Sequence, residues 1–541
     1  MISFHLNGVS VSCEVAPATR LSDVLRTALG RIGTKSGCDA GDCGACTVLL
    51  DGAAACACLV PAAQADGTSI TTVEGLAASA RGARLQQAFL ARGAAQCGIC
   101  TPGMLVAAAA LLEQVARPSR REIEDALGGV LCRCTGYAKI IDAVQDAASG
   151  HVAPQAMPQQ GSAVGARIAR LDGAPKVDGT EAYGADAIPA DALWVRAIRS
   201  PCHRAGFQLG DVDGFIAAQP GLVRVLTARD IPGRNIFGVI PPFADQPVFA
   251  ESEARYRGEA VAAIVGERHA VAALDLASFP ITWEERPAVL TIAAALDPAA
   301  PQLHGNRPGN ILVRGLVQRG DAERALREAA VTVAASFETS FVEHAYIEPE
   351  AGWARRVGDR IEITASTQAP YMDRDDTAAI MGLAPDAIRI IPSACGGGFG
   401  SKLDLSVQPY VALAAWLTGR PAAMVYTRPE SLQSTTKRHP AIMRSAMAAT
   451  REGDLLAMDF EGDFNTGAYS SWGPTVANRV PVHASGPYAV PHYRARTRAV
   501  LTHCVPAGAF RGFGVPQTVV AQEQLLDMLA AKLGLDALEF R

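Results

Sequence analysis

Eight cysteines in the first 134 residues fall into two sets with different spacings. The first set follows a C-x4-C-x2-C-x11-C pattern and consists of Cys38, Cys43, Cys46 and Cys58. The second set follows C-x2-C-x31-C-x-C and consists of Cys97, Cys100, Cys132 and Cys134. The first spacing is the plant-type iron-sulfur pattern, in which four thiolates hold two irons. We therefore predict two 2Fe-2S clusters and, with them, an electron-transfer module.

The residues around the first set suit a tight ligand loop. Gly37, Gly41 and Gly44 permit backbone angles that residues with a Cβ avoid. Such a loop can direct backbone amides at the sulfur atoms and offset their negative charge. A zinc site and a set of reduced structural cysteines are the alternatives, but zinc usually takes two C-x2-4-C pairs, which the first set lacks. Cys56 competes with Cys58 as the fourth ligand.

Charge and cysteine distribution exclude several classes of protein. The net charge is -5 and the basic residues are dispersed, so we expect no nucleic-acid partner. The most apolar helical stretch, residues 104–112, is too short to span a bilayer, and we expect no membrane span. Ten of the thirteen cysteines lie within residues 1–134, which assigns the thiols to metal binding rather than to disulfides. This usage fits a reducing compartment and predicts a cytoplasmic protein.

The chain length suggests about three or four domains. Residues 1–77 alternate strand-like runs with one helical stretch, which predicts a small α+β domain. Residues 78–148 are helical in pattern, with Pro102 in a first turn and a capping box from Ser119 to Glu122. Residues 149–166 are rich in Pro, Gln, Gly and Ala and predict a linker, beyond which the pattern becomes mixed α/β.

The second part of the chain carries a glycine loop, residues 396–402, with the sequence GGGFGSK, directly after a predicted strand. It fits neither a P-loop nor the dinucleotide fingerprint, because Ser401 stands where each motif needs glycine. The loop is either a tight turn or a backbone that closely approaches an anionic cofactor. Three further segments accompany it: STQAP at residues 366–370, TTKRHP at 435–440 and AFRGFGVPQ at 509–517.

In this order, and together with the two cysteine sets, these segments resemble the molybdenum hydroxylases, the xanthine dehydrogenase and aldehyde oxidoreductase family. Residues 170–173, 199–201 and 257–263 look like the α/β hammerhead domain of that family, and residues 344–350 resemble the opening of its molybdopterin domain. The resemblance implies a multidomain α+β protein. The expected parts are a ferredoxin-like 2Fe-2S domain (1–77), a helical-bundle 2Fe-2S domain (78–148), a linker (149–166), an α/β hammerhead domain (167–285), a connector (286–311) and the first part of the α/β molybdopterin-binding domain (312–541).

The resemblance also implies a cofactor and residue roles. A molybdenum ion would be held by a pyranopterin, with no protein side chain on the metal, and would oxidise an N-heteroaromatic ring or an aldehyde with oxygen from water. Gln368 would donate to the oxo ligand, and Phe513 would form a wall for a flat substrate. The family spacing favours Cys58 over Cys56 as an iron ligand. The residues expected to hold the cofactor are Gln368, Gly397, Gly398, Phe399, Gly400 and Arg511.

Each role has a structural alternative: Gln368 as a surface amide, Arg511 as an ion-pair partner and Phe513 as a core residue. Arg479 lies where purine-oxidising relatives place a catalytic, substrate-orienting arginine. Leu403, however, stands where xanthine-oxidising relatives carry a glutamate, which disfavours xanthine itself. No flavin domain fits between the clusters and the hammerhead region, so electrons would pass to an external acceptor protein.

The family's catalytic base is a glutamate in a Gly-x-Gly-Glu segment of a longer chain. Glu259 follows a superficially similar segment, but it falls in the hammerhead region and is expected to be structural. General-base catalysis needs a carboxylate within hydrogen-bond reach of the proton. We therefore expect a fragment, or one subunit of a split enzyme whose second subunit supplies the rest of the molybdopterin domain. The alternative function is a non-catalytic electron-transfer subunit or scaffold.

Overall fold

The computed structural model describes residues 1–152, 157–166 and 168–541. The predicted linker, 149–166, therefore lies partly outside the described residues, and so does residue 167, the predicted start of the hammerhead domain. In the described part of the chain, we find no helix that combines the length and the apolar character needed to cross a bilayer.

The amino-terminal region is a five-stranded sheet with one helical crossing. The sheet order is β2-β1-β5-β3-β4, with β1 (Ile2–Leu6), β2 (Val9–Cys13), β3 (Thr47–Leu50), β4 (Ala53–Cys56) and β5 (Ser69–Thr71). Asn7 and Gly8 both have positive φ, 52° and 84°, which is the geometry of a two-residue hairpin turn. The one helical stretch predicted within residues 1–77 is α1 (Leu21–Asp23), continued by a π-helical stretch, Val24–Ala28.

The next region is helical. Its helices are α2 (Val73–Leu76), α3 (Ala80–Arg92), α4 (Thr101–Gln114), α5 (Arg120–Leu127) and α6 (Tyr137–Ser149). Helix α4 begins at Thr101, directly after Cys100, with proline in its first turn, and α5 has the predicted capping box between Ser119 and Glu122. Helix α4 packs against β3, so the helical region rests directly on the amino-terminal sheet.

The predicted hammerhead region alternates strands with short helices. Its elements are α7 (Gly173–Asp178), β6 (Leu193–Arg199), β7 (Ala205–Leu209), α8 (Val212–Ala217), β8 (Leu222–Leu226), β9 (Glu253–Ala254), β10 (Ala260–Gly266), α9 (Arg268–Ala273) and β11 (Ile281–Glu285). Three of the strands form a small sheet in the order β11-β7-β9.

The remaining region is larger and also mixed. Its helices are α10 (Ile292–Ala295), α11 (Ala322–Glu328), α12 (Pro370–Met381), α13 (Gln408–Thr418), α14 (Arg428–Ser434), α15 (Gly473–His483), α16 (Val515–Leu533) and α17 (Ala537–Phe540). Its strands are β12 (Ile311–Arg319), β13 (Val331–Thr339), β14 (Ala351–Val357), β15 (Arg360–Ala365), β16 (Ile388–Pro392), β17 (Ala422–Val425), β18 (Ala441–Ala449), β19 (Leu455–Gly467) and β20 (His492–Leu501).

One sheet crosses the predicted boundary between these two regions. Its order is β16-β15-β14-β17-β6-β10-β8, and it joins the regions where β6 runs parallel to β17, with Leu193 opposite Ala422. A second sheet, β12-β20-β19-β18-β13, packs against α15 and α16. Helix α16 buries Ala521, Leu525 and Leu529 in this core. The predicted multidomain α+β class is confirmed.

The two cysteine-bearing regions meet through glycines. Gly44 has φ of +66°, and a Cβ on it would lie 2.1 Å from the carbonyl oxygen of Gly129. Similarly, a Cβ on Gly103 would lie 2.4 Å from the carbonyl oxygen of Gly44. Real Cβ atoms do not approach other atoms so closely, so this backbone-to-backbone contact requires glycine at both positions.

We predict that Gly44→Ala destabilises the protein by about 2 kcal/mol or more, because left-handed backbone strain adds to the clash with Gly129. Gly129→Ala is the matched control, since nothing lies within 4 Å of its Cβ position. Thermal unfolding of both variants, with iron per chain measured beforehand, tests the prediction. Equal unfolding temperatures for the two variants would contradict it.

Candidate functional site: two cysteine loops and a glycine loop

The first cysteine set lies on a loop that directs amides at sulfur. The amides of Ala40 and Cys43 each donate to Sγ of Cys38 over 3.4 Å. Burial acts to raise the pKa of the Cys38 thiol, but these hydrogen bonds outweigh it and hold the pKa below the usual range. A Cβ on Gly37 would lie 2.9 Å from Sγ of Cys43. The loop thus encloses its sulfur atoms tightly, as the ligand-loop interpretation requires.

The thiols approach one another in pairs. Cys38 hydrogen-bonds Cys43, and Cys46 hydrogen-bonds Cys58. Cys58 is buried, whereas Cys56 is half-buried and its thiol faces the carbonyl oxygen of Gly41 at 3.9 Å. Cys58 as the fourth ligand stays a prediction. Within the described residues, no three His, Cys, Asp or Glu side chains converge as a mononuclear metal site requires.

The second set is paired in the same manner. Hydrogen bonds between thiols join Cys97 to Cys134 and Cys100 to Cys132. These bonds lower the pKa of Cys132 and of Cys97. The two cysteine loops also touch, since the amide of Leu131 donates to the carbonyl oxygen of Cys43 over 2.9 Å.

The glycine loop follows β16 and wraps around Gln368. A Cβ on Gly398 would lie 2.3 Å from Oε1 of Gln368, and the amide of Gly400 donates to that same oxygen over 3.0 Å. The backbone amide of Gln368 in turn donates to the carbonyl oxygen of Lys402 over 2.8 Å. Phe399 has a positive φ of 54°. Gln368 and the loop are therefore held as one unit, with Nε2 of Gln368 left to donate elsewhere.

The segment at residues 509–517 lies against this loop. The amide of Arg511 donates to the carbonyl oxygen of Phe399 over 2.8 Å, and a Cβ on Gly400 would lie 2.6 Å from the carbonyl oxygen of Ala509. The predicted cofactor-binding residues, Gln368, Gly397, Gly398, Phe399, Gly400 and Arg511, thus come together in space. The Arg511 side chain itself is exposed.

Two predicted substrate residues meet beside that segment. The Arg479 guanidinium carbon lies 5.7 Å from the centre of the Phe513 ring. Phe513, whose φ is 47°, makes an edge contact with Trp472 at 5.5 Å between ring centres. No sequence motif pointed to Trp472. Arg479 is exposed, whereas Phe513 is partly exposed and also packs against the hydrophobic core beneath α15 and α16.

A buried ion pair between Lys402 and Glu348 lies behind the glycine loop, and it was not predicted from the sequence. Lys402 Nζ lies 2.8 Å from Oε2 of Glu348, and it also donates to Oγ of Ser366 over 2.9 Å. The carboxylate further accepts from the amides of Gly184 (3.0 Å) and Gly396 (2.6 Å). Both ionic residues lie within segments that the sequence analysis had marked, but only the fold shows that they meet.

Asp404 and Glu259 are carboxyl groups near this region with structural partners. Ser471 donates to Asp404, and burial raises the pKa of Asp404 to about 7. Tyr469 donates to Glu259, and burial raises the pKa of Glu259 to about 7 as well. These contacts suit the structural role predicted for Glu259, which stays a prediction.

His344 is buried and stacks on Phe510, with ring centres 4.0 Å apart. Its Nε2 lies 2.8 Å from the carbonyl oxygen of Ala509. Burial lowers the pKa of His344 to about 3, so the ring is neutral near pH 7. The histidine therefore packs the 509–517 segment against the rest of the site.

The residues present fit the groups that the sequence implies. Each cysteine loop offers four thiols, and the first also directs amides at sulfur. The glycine loop is a cradle that a Cβ at Gly398 or Gly400 would fill, next to the Gln368 amide. An arrangement of this kind holds two 2Fe-2S clusters beside an anionic cofactor bound by backbone amides.

The chain is thus an iron-sulfur protein with a cofactor-binding domain, and comparison with known proteins defines its family. Four family models match: a 2Fe-2S iron-sulfur cluster binding domain (residues 4–72), a 2Fe-2S binding domain (72–145), the a/b hammerhead domain of aldehyde oxidase and xanthine dehydrogenase (178–287) and a molybdopterin cofactor-binding domain (303–541). The chain therefore carries two 2Fe-2S-binding domains and a molybdopterin cofactor-binding domain.

Individual relatives agree. The aldehyde oxidoreductase of Megalodesulfovibrio gigas is 34% identical over 557 residues, covering 99% of this chain and 61% of that protein. The nicotinate dehydrogenase large molybdopterin subunit of Eubacterium barkeri is 35% identical over 379 residues, covering 70% of this chain and 88% of that subunit. The solved aldehyde oxidoreductase from Desulfovibrio gigas superposes with a TM-score of 0.94 at 33% identity, covering 100% of this chain and 62% of that one.

The protein belongs to the molybdenum hydroxylase family of the aldehyde oxidoreductase and xanthine dehydrogenase type, as the sequence resemblance predicted. It spans about three fifths of the length of the aldehyde oxidoreductase relative, at 61%.

We predict that Cys43→Ser abolishes only the ferredoxin-type cluster and Cys132→Ser only the helical-domain cluster, because each ligand set lies in its own loop. Electron paramagnetic resonance of the dithionite-reduced protein should lose one of two signals in each variant. Cys13→Ser, a buried thiol outside both sets, is the control and should keep both. Loss of both signals from a folded single variant would show that the sites are not separate.

Proposed function

We propose that the protein is the cluster-bearing and cofactor-bearing part of a molybdenum hydroxylase that oxidises an aldehyde or an electron-poor N-heteroaromatic ring. One observation carries this proposal: Gln368, the glycine loop and the 509–517 segment are hydrogen-bonded into one unit. When bound there, a molybdenum pyranopterin would supply a two-electron oxidation with oxygen from water. A scaffold that only passed electrons would gain nothing from such a unit.

The residues of the chain then have specific tasks. Because Oε1 of Gln368 accepts from Gly400, the amide presents Nε2, a neutral donor, toward the cofactor side. The amides of Gly397, Gly398 and Phe399 would bind the cofactor, since those of Gly396 and Gly400 already donate to Glu348 and Gln368. The 509–517 segment lies in close contact with this loop. Phe513, held at its edge by Trp472, offers a flat apolar face to a planar substrate.

The proposed substrate class follows from the uncharged side chain of Leu403. Leu403 places an alkyl side chain where xanthine-oxidising relatives carry a carboxylate, and Asp404 is directed at Ser471. Arg479, near Phe513, would orient only those substrates that carry an acceptor group. A buried polar group of a purine would lack its partner here, which costs about 1–3 kcal/mol. An aldehyde or a less polar heteroaromatic ring makes no such demand.

The proposal includes two protein partners. The cysteine loops touch each other, which supports electron flow through both clusters to an external acceptor protein. A second polypeptide would supply the rest of the molybdopterin domain. In support, 88% of the large molybdopterin subunit of nicotinate dehydrogenase aligns with this chain, and that relative is by its name one subunit of its enzyme. Arg479 and Arg511 are exposed here, where a second polypeptide would cover them.

For the substrate class, steady-state assays with an artificial dye acceptor would compare xanthine with aldehydes and simple N-heteroaromatics. We expect kcat/KM for xanthine to be about tenfold or more below that of the best substrate, because one unsatisfied polar group costs on the order of 1–3 kcal/mol. Leu403→Glu should reduce the difference in kcat/KM between xanthine and the best substrate. Xanthine as the best substrate of a broad panel would sink the proposal.

For the second polypeptide, residues 1–541 should be expressed alone and metals counted per chain. We expect about four irons, from two 2Fe-2S clusters, with little molybdenum and no turnover, because the Arg479 and Phe513 face stays open. Full molybdenum occupancy with turnover would show that no partner is needed. Iron without molybdenum even with a partner present would favour the electron-transfer scaffold instead.

A further inference from the structure

A single arginine joins the first cysteine loop to the molybdopterin domain. Arg428, the first residue of α14, donates from Nε to the carbonyl oxygen of Gly37 over 3.0 Å and from Nη2 to that of Ile347 over 2.6 Å. Gly37 directly precedes Cys38 and lies against Sγ of Cys43. The guanidinium group is therefore attached to the backbone that encloses the predicted cluster.

The charge of Arg428 has no carboxylate partner. None of the ion pairs in the described residues includes it, and its Nη1 is buried without a hydrogen-bond acceptor. The two carbonyl groups that Arg428 binds are neutral. A buried cationic nitrogen without an anion is costly, so an anionic group nearby is expected.

The other charged residues around Arg428 do have ionic partners. A cavity of about 60 Å³ between the cysteine loop and the molybdopterin domain is lined by Arg26, Lys35, Asp39, Asp186, Glu348 and Arg428, among others. The other buried charges of this lining are paired: Asp186 with Arg26 (2.6 Å) and Lys35 (3.1 Å), and Glu348 with Lys402 (2.8 Å). Asp39 lies 3.8 Å from Arg20. Arg428 alone in this lining lacks a charge partner among the described residues.

A 2Fe-2S cluster with four thiolates supplies the missing anion. Its net charge is negative and becomes more negative by one unit when it takes up an electron. The reduction potentials of such clusters depend on nearby charge and hydrogen bonding. A fixed cation at short range stabilises the reduced state more than the oxidised state. Arg428 is half-buried, so solvent screens its charge only in part.

We propose that the Arg428 guanidinium is the counter-ion of the ferredoxin-type cluster and that it raises the reduction potential of this cluster. An arginine of the molybdopterin domain thus sets how readily the cluster in another domain accepts an electron. Arg428 is a positioning and tuning residue, since it acts through the cluster loop and touches no substrate. The inference requires bound iron-sulfur clusters but no particular substrate.

Arg133 provides a matched control within the chain. It lies between the ligands Cys132 and Cys134 and donates from Nε to the carbonyl oxygen of His344 over 2.7 Å and from Nη2 to that of Glu343 over 3.1 Å. Arg133, like Arg428, thus donates to two backbone carbonyl groups. Both acceptors of Arg133 lie at residues 343–344, close in sequence to Ile347, which accepts from Arg428. Its side chain is exposed, however, and it belongs to the helical-domain loop.

The experiment is a mediated redox titration of the full chain, with both clusters loaded and followed by electron paramagnetic resonance. The variants are Arg428→Gln, Arg428→Lys and Arg133→Gln, and the signals are assigned with Cys43→Ser and Cys132→Ser. In Arg428→Gln we expect the one-electron reduction equilibrium of the ferredoxin-type cluster to fall about tenfold, which is about 59 mV. Arg428→Lys keeps the charge and should retain most of the wild-type potential. Arg133→Gln should leave the ferredoxin-type potential unchanged.

Several results would overturn the proposal: an unchanged potential in Arg428→Gln, an equal fall in Arg428→Lys, an equal shift of both clusters, or the same ferredoxin-type shift in Arg133→Gln. If Arg428→Gln loses its cluster, Arg428→Lys decides, because it must then hold a full iron complement at nearly the wild-type potential. None of these readouts requires molybdenum, so failure here is distinguishable from failure of the proposed hydroxylase function.

Discussion

The buried carboxylate of Glu348 is the interaction on which the arrangement of the site depends. It accepts from Lys402 Nζ, Ser366 Oγ and the amides of Gly184 and Gly396. These four donors belong to the end of the glycine loop, the turn after β15, the entry to the hammerhead region and the start of the glycine loop. A buried charge is tolerated only when it is fully paired, and removing one partner costs about 3–5 kcal/mol. The loop and the hammerhead region are therefore ordered together.

Glu348 ends a short segment, residues 343–348, that contacts the second cysteine loop, Arg428, the glycine loop and Phe510. Its backbone carbonyl groups accept hydrogen bonds from Arg133, which lies on the second cysteine loop, and from Arg428. Arg428 also donates to Gly37 on the first cysteine loop, so the segment is linked to both loops. Its His344 stacks on Phe510, and Tyr346 packs against the Cα of Gly397. One short segment thus fixes the distances between the cysteine loops and the glycine loop.

Sequence reasoning was strongest where chemistry constrains spacing. The cysteine loops, the Ser119 capping box and the glycine loop after a strand were all predictable, because a few neighbouring residues determine each of them. The parallel pairing of β6 with β17 was not predictable, since partners more than two hundred residues apart leave no local signal. The same holds for Glu348 with Lys402 and for Arg428 with Gly37, where only the fold brings the partners together.

The proposed substrate preference depends on a difference of one residue in this framework. The proposal rests on Leu403, an uncharged side chain where the sequence resemblance leads us to expect a carboxylate in xanthine-oxidising relatives, whereas this chain has its carboxyl group one residue later, at Asp404. Asp404 is buried and accepts a hydrogen bond from Ser471. The residue after Ser471, Trp472, makes an edge contact with Phe513. Burial raises the pKa of Asp404 to about 7, so near neutral pH it is only partly ionised and is a weaker anchor for a polar ring than an exposed carboxylate. In the proposed site, Leu403 would therefore leave the position of the purine anchor apolar.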